Sequence, residues 1–380
     1  MVTLDVQSSP NDVIPIHCCY PAAMAETTMR AWTHTQIGVP SKVLSLKPDV
    51  KKPVLTNPTD VLVRITHASL SPGASLMMQF APFIFRHTPA IPEVDFSGTV
   101  VAVGSSVPES RNLSAGDAVF GSITLGPHLK RGAGALAEYV VVDHTGVVRT
   151  PDGMDAGEAA GLGVSGCTAL VLVRAAELKA GERVLVYGAS GGVGGFVVQM
   201  CKNAVGEEGK VVCVCSGRSE EAVRGLGADE IIDYTAHSSL PAYLKSHHSS
   251  PPFTSIIDAH GSSDLYLNSS DYLAPEGSYV TVGVAHSDYT VPSMLYAVYS
   301  MLWNAWVPHW LGGGERRYVN ANVTANLEML EELGRLVREG KIRVLVDSRW
   351  DGRDALKAYE RLRGRHARGK IIVKISPDSL

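Results

Sequence analysis

The chain has 380 residues, 45% of them hydrophobic and 19% charged, with a formal net charge of −4. This composition supplies core for two ordinary domains and excludes a disordered chain. The lack of a long basic run argues against nucleic acid as a partner, and six cysteines without regular spacing do not make a disulfide framework.

Residues 1–28 contain no Lys or Arg, yet carry Asp5, Asp12 and Glu26. They match neither a secretory signal nor a mitochondrial leader, so a flexible N-terminal extension and a cytoplasmic location are expected. From Met29 to Arg149 short valine-rich runs such as "VLVRITHASL", "DFSGTVVAVG", "GDAVFG" and "ALAEYVVV" alternate with Gly and Pro, which predicts a β-rich, barrel-like unit. From Pro151 the rhythm changes. "GEAAGLGVSGCTALVLVRAAEL" reads as helix, and "RVLVYG", "VVCVC", "EIIDY", "SIIDAHG" and "SYVTVG" read as strands with helical text between them, the pattern of a parallel sheet. Cys213 and Cys215 alternate within one strand and are expected on a single packed face. "HSSLPAYLKSHHSSPP" reads as a surface loop with His247 and His248 in solvent.

The stretch from Val291, "VPSMLYAVYSMLWNAWVPHWLGGG", holds three of the five tryptophans, with Met294, Leu295, Val298, Leu302 and Trp306 at helical spacing. Pro292, Asn304 and Pro308 leave too short an apolar run for a transmembrane span, which needs about 20 residues. Such a helix serves as core, as the wall of a bulky apolar substrate site, as an interface between copies, or as a membrane-surface contact; monomer and homodimer both stay open. After Tyr318 come a helix "NLEMLEELGRLVREG", a strand "IRVLVDSRW", a helix "DALKAYERL" and a closing strand "KIIVKI".

One turn carries chemistry. Val184 to Tyr187 form a buried-strand run, and Val193, Phe196, Val197, Met200 and Cys201 lie on one face of a helix. Between them, in "GASGGVG", Ala189, Gly191 and Gly194 occupy the three small positions of G-x-G-x-x-G, with Ser190, Gly192 and Val193 as spacers. In a strand–turn–helix this pattern lets a pyrophosphate approach the backbone and meet the helix N-terminus, so a dinucleotide site is expected. An NAD site places an acid at the end of the next strand, but that place reads Ser216, Gly217, Arg218. Glu220 and Glu221 are expected in a first helical turn behind an N-cap Ser219. Ser216 and Arg218 suit a 2′-phosphate, and a charge-assisted bond there contributes about 1.5–3 kcal/mol. The expected cofactor is NADP(H).

The ordered set "GDAVFG", "ALAEYVVV", "GASGGVG", "GLGADEIIDY" and "HARGKIIV" resembles the medium-chain dehydrogenase/reductase superfamily, in its zinc-independent, quinone oxidoreductase-like branch. The resemblance spans Met29 to Ile375. It implies an α/β protein with a GroES-like β-rich catalytic domain plus a Rossmann doubly wound parallel-sheet domain. The catalytic domain would comprise residues 29–150 and a return segment, 306–380, around an NADP(H)-binding domain over 151–305. It also implies that Tyr234 lies near the adenosine 2′-phosphate, that Thr168 binds the phosphate on the nicotinamide side, and that Lys370 closes near the cofactor. Where zinc-dependent members carry a Cys ligand and a His ligand, this chain has Ser71 in "ASLSPGAS" and Val94 in "IPEVDFSG", so no metal is expected. Zinc-free relatives usually have Asn at the Ser71 position, Asp where Ala74 stands, and commonly Gly where Glu93 stands.

The expected activity is an NADPH-dependent, zinc-independent transfer of hydride to a quinone or to the C=C bond of an α,β-unsaturated carbonyl compound. Such an acceptor spreads the charge that hydride brings, so the protein need only orient and hydrogen-bond it. Ser71 is the first choice for a substrate or nicotinamide contact. His67, Asp95, Tyr139 and His260 stand in motif-bearing segments, with structural roles expected for His67, Asp95 and Tyr139. The alternative is a non-catalytic cofactor-binding or membrane-associated factor that retains the fold.

Overall fold

A computed structural model describes residues 27–81, 83–283, 290–321, 323–376 and 379–380. The expected extension over 1–28 falls almost wholly outside the described residues. Two large sheets organise the rest, beside a two-stranded one of Thr28–Thr33 and Ser45–Lys51. Six strands lie in the order Glu230–Asp233, Lys210–Cys215, Arg183–Tyr187, Phe253–Asp258, Leu273–Thr281 and Arg317–Asn320, all parallel. In chain order this is 3-2-1-4-5-6, the doubly wound arrangement, with the switch point beside Arg183–Tyr187. The first, second and fourth strands read as apolar runs because helices cover both faces of the sheet. Val184, Val186, Cys213 and Cys215 face one core with Phe196, Val197, Met200 and Cys201 of the helix Gly194–Val205. The two strand cysteines thus share one packed face.

The second sheet is mixed. Its order is Val346–Asp351, Lys370–Lys374, Asp60–Leu70, Asp95–Val103, Ala118–Ser122 and Val147–Arg149, and Tyr139–Asp143 also pairs with Asp60–Leu70. The chain therefore leaves this β-rich unit, builds the parallel sheet, and comes back to pair Ile371–Lys374 with His67–Leu70. The GroES-like and Rossmann architecture is the one expected.

The return comes later than residue 305. Arg317–Asn320 is the sixth parallel strand, and the helix Val291–Trp306 stands between it and the fifth, since parallel neighbours need a crossover. Met329, Leu330 and Leu333 of the helix Leu327–Arg338 belong to the parallel-sheet core, so the mixed sheet is regained only at Val346. "RYVN" is too short and too polar to be read as a strand from its pattern.

Two further expectations change. The segment read as a surface loop contains a helix, Leu240–His248, which begins with a proline in its first turn and with Ser239 accepting from the Ala242 N–H at 3.3 Å. His248 is buried, stacked on Phe253, with Arg183 on its ring nitrogen at 2.6 Å, whereas His247 stacks on Tyr243. The helix Val291–Trp306 is inverted: it buries Ser293, Ala297, Ser300 and Asn304 and exposes Leu295, Tyr296, Val298, Tyr299, Leu302 and Trp306. A core-helix role for its apolar stripe is thereby overturned. No helix among the described residues is long and apolar enough to cross a membrane.

The turn after Tyr187 depends on close backbone packing. Gly188 has φ +76°, and a Cβ on Gly194 would lie 2.1 Å from the Gly188 carbonyl oxygen. Gly194→Ala is expected to destabilise the fold by ~1–3 kcal/mol, read as a lower urea midpoint. An unchanged midpoint would mean that the helix can move away from the strand without loss.

Candidate functional site

The helix Gly194–Val205 starts directly from the glycine turn, and no side chain caps it. The Gly195 and Phe196 N–H groups turn back to the Gly191 and Val193 carbonyls, at 2.9 and 3.0 Å, so an anion docking at this helix N-terminus would meet the backbone of the glycine turn and not a capping side chain. Ala189 is buried with its N–H on the Val214 carbonyl at 3.2 Å, and the Gly191 N–H turns back to the Gly188 carbonyl at 3.0 Å. Gly191 also bridges to Gly369 of the returning segment. Beside it, a Cβ on Gly192 would come within 2.9 Å of the Lys370 Cδ. The turn is thus built from two regions nearly 180 residues apart in the chain.

Lys370 is the buried member of this junction. Its Nζ donates to Ser165 Oγ at 2.8 Å and stands 3.8 Å from Asp95 Oδ2. Burial pushes the ammonium pKa down and the Asp95 carboxyl pKa up, and the attraction between them opposes both shifts. Asp95 also accepts from the Val164 N–H at 2.9 Å, in the first turn of the helix Gly163–Ala176. The structural role expected of Asp95 is therefore found. Thr168 lies on that helix with its hydroxyl donating to the Val164 carbonyl at 2.7 Å.

At the end of the second parallel strand a cavity of about 170 Å³ is lined by Ser190, Ser216, Arg218, Ser219 and Tyr234. From the returning segment it also receives Arg361, Arg365, His366 and Arg368. Among the described residues no carboxylate lines it. Arg368 Nη1 donates to the Arg218 carbonyl at 2.7 Å, and Asp347 holds both Arg361 and the Arg368 N–H. The candidates Ser190, Ser216, Arg218 and Tyr234 are thus brought together. The four returning side chains were missed, although "RLRGRHARGK" announces them by its density of basic residues. Glu220 and Glu221 open the helix Glu220–Arg224 as expected. Ser219 does not cap it, because its buried hydroxyl meets Ser216 Oγ at 3.3 Å instead.

Ser71 ends the strand Asp60–Leu70 and caps the helix Pro72–Phe80, its Oγ accepting from the Ala74 N–H at 3.2 Å. Its own N–H donates to Glu93 Oε2 at 2.9 Å, and the other oxygen of Glu93 accepts from the Tyr359 hydroxyl at 2.7 Å. Glu93 is fully buried in left-handed backbone at φ 65°, a conformation that costs a non-glycine residue about 1–3 kcal/mol. Burial raises its pKa to about 8, against the opposing hydrogen bonds from Tyr359 and Ser71. The other candidates stand in separate contacts. His67 is half-buried against Thr66, Tyr139 lies under Lys52, and the His260 ring packs edge-on to Tyr187.

Known proteins share this architecture. Residues 57–152 match the alcohol dehydrogenase GroES-like domain, and residues 226–373 match the zinc-binding dehydrogenase family. The trans-enoyl reductase poxH of Penicillium oxalicum is 33% identical over 93% of this chain and 99% of its own. The medium chain reductase pydE of an Acremonium species is 35% identical over 92% and 99%. The structure of the quinone oxidoreductase from Coxiella burnetii superposes with a TM-score of 0.74, at 27% identity, over 92% of this chain and 99% of that one.

The chain is a medium-chain dehydrogenase/reductase, of the quinone oxidoreductase-like branch. At the two positions that resemble the family's zinc ligands, this reductase has Ser71, whose oxygen caps a helix, and Val94, which packs against the barrel core. Among the described residues no three His, Cys, Asp or Glu side chains converge as a metal site.

Glu93 makes stability depend on pH with a definite sign. Its carboxyl takes up a proton on folding, so its contribution is full below its ordinary pKa of 4.5 and is lost as pH rises through about 8, at about 1.4 kcal/mol per pKa unit. Wild type should lose stability relative to Glu93→Gln between pH 5 and pH 8 in denaturant titrations. A difference that stays constant with pH contradicts this assignment.

Proposed function

We propose that this reductase uses NADPH, without zinc, to reduce the C=C bond of an α,β-unsaturated carbonyl compound or a quinone. The observation that carries the choice of cofactor is the arginine-lined cavity at the end of the second parallel strand, where no carboxylate among the described residues is placed to receive a ribose 2′-hydroxyl. Ser216, Arg218, Tyr234, Arg365 and Arg368 would hold the 2′-phosphate. The turn Ala189–Ser190–Gly191–Gly192–Val193–Gly194 would hold the pyrophosphate, with the Lys370 stem against it and Thr168 toward the nicotinamide end. The uncapped helix and the close backbone packing fit a dinucleotide. When bound, NADPH supplies the hydride.

The protein's own task is then orientation and a few hydrogen bonds. Ser71 Oγ accepts from Ala74, which leaves its hydroxyl proton for the acceptor's carbonyl oxygen, where negative charge develops. A proton from water or a side chain completes the reduction. Independence of zinc is supported by the residue types: valine has no lone pair, and the Ser71 oxygen is already engaged. Reduction of a conjugated C=C bond is favoured over a plain alcohol reaction by the relatives' names, among them a trans-enoyl reductase and, at 29% identity, an NADPH-dependent alkenal/one oxidoreductase of Arabidopsis thaliana. The proposed location is cytoplasmic and the proposed acceptor bulky and apolar.

A second reading keeps the fold for a cofactor-binding or membrane-associated role without turnover. It is favoured by the exposed face of the helix Val291–Trp306, continued by Trp310, which is 79% exposed. Sedimentation with vesicles and no turnover on any acceptor would support it.

Nicotinamide fluorescence during titration with NADPH and with NADH separates the cofactors. NADPH is expected to bind the more tightly, and Arg218→Glu to weaken NADPH by about 10- to 100-fold with little change for NADH. Equal affinities in wild type would overturn the cofactor assignment. Failure to oxidise NADPH with any of a panel of enones and quinones would overturn the activity.

A further inference from the structure

The N–H of a helix-capping residue lies outside the helix's own hydrogen-bond ladder. In a capping box an acid three residues later reaches back to it. Ser71 caps the helix Pro72–Phe80, yet the residue three positions on is Ala74, which cannot reach back. The acceptor comes instead from 22 residues away: Glu93 Oε2 takes the Ser71 N–H at 2.9 Å. This carboxyl group is fully buried, and left-handed backbone at φ 65° places it there. A non-glycine residue held in that conformation points to a role beyond packing.

The second oxygen of Glu93 accepts from Tyr359, on the helix Ala355–Arg363 of the returning segment. The same helix carries Arg361, whose Nε and Nη2 donate to the two oxygens of Asp347. Asp347 accepts the Arg368 N–H, and Arg361, Arg365 and Arg368 line the cavity beside Arg218. Arg363 adds a second tie, donating to Gln79 on the helix that Ser71 caps.

We propose that Glu93 is a positioning residue: it supplies the missing half of the Ser71 capping box and ties Ser71 to the helix that carries Arg361 and leads into Arg365 and Arg368 of the phosphate cavity. One carboxyl group thereby sets the acceptor side of the site against the cofactor side. The inference rests on the reading of Ser71 as the acceptor's contact. It accounts for two departures at once, Ala74 in place of an acid and Glu93 in place of a glycine.

The test removes the remote carboxyl and restores a local one. Glu93→Gly with Tyr359→Phe deletes the tie without leaving a buried hydroxyl unpaired, and Ala74→Asp then rebuilds the box within the helix. Three measurements are made: amide hydrogen exchange at Ser71, steady-state kinetics with the acceptor, and NADPH affinity by fluorescence. In the double variant, exchange at Ser71 should rise and kcat should fall by about tenfold each, with the NADPH Kd moving by less than about threefold. Adding Ala74→Asp should recover most of the exchange protection and of kcat. Unchanged exchange at Ser71 in the double variant overturns the proposal, as does a fall in kcat that follows thermal stability and is not recovered by Ala74→Asp. If wild type reduces no enone or quinone, the functional reading fails, while the exchange measurement and its recovery by Ala74→Asp still decide the role of Glu93.

Discussion

The structure depends on one buried cation. Lys370 reaches Ser165 and Asp95, lies along the glycine turn at Gly192, and begins the strand that closes the mixed sheet. Asp95 belongs to the first part of the β-rich unit and holds the N-terminal turn of the first Rossmann helix. A single ion pair thus joins the departing chain, the dinucleotide turn and the returning chain. Removing one partner of such a pair leaves the other charge buried and uncompensated, at a cost of about 3–5 kcal/mol. That penalty keeps the junction in one arrangement.

The cofactor side follows from this junction. The turn itself is a local structure, made by small residues between a strand and a helix. The arginine-lined cavity is not local. Ser216, Arg218 and Tyr234 come from the ends of the second and third parallel strands, and Arg361, Arg365, His366 and Arg368 come from the far end of the chain. The returning segment reaches them because Gly369 is held at Gly191 and the Lys370 N–H at the Leu345 carbonyl. A cavity lined by basic and hydroxyl side chains follows from two segments that acquire meaning only together.

The helix Val291–Trp306 runs against the usual rule. It buries a stripe of Ser293, Ala297, Ser300 and Asn304, and Asn304 donates to Ser263 at 3.1 Å. Its bulky face looks outward, and Trp306 and Trp310 are about four-fifths exposed. Small polar side chains let the helix pack closely on the sheet edge, where large ones would not fit. Periodicity reports that a helix has an apolar face but not which way that face turns.

Local interactions were legible in the sequence. Strand alternation, the helix faces, the G-x-G-x-x-G geometry and the non-acidic end of the second strand all concern neighbours within a few residues, where backbone geometry converts spacing into contact. From them came the two-part architecture and the dinucleotide turn. The polar "RYVN" strand, the helix opened by Ser239, the arginines of the return segment, and the pairing of Glu93 with Ser71 and Tyr359 were decided by the tertiary structure. Each depends on segments that approach only after the chain has crossed between sheets. A hydrogen bond spanning 22 or 266 residues leaves no periodic trace, because the spacing of its partners is set by topology and not by the pitch of a helix or strand.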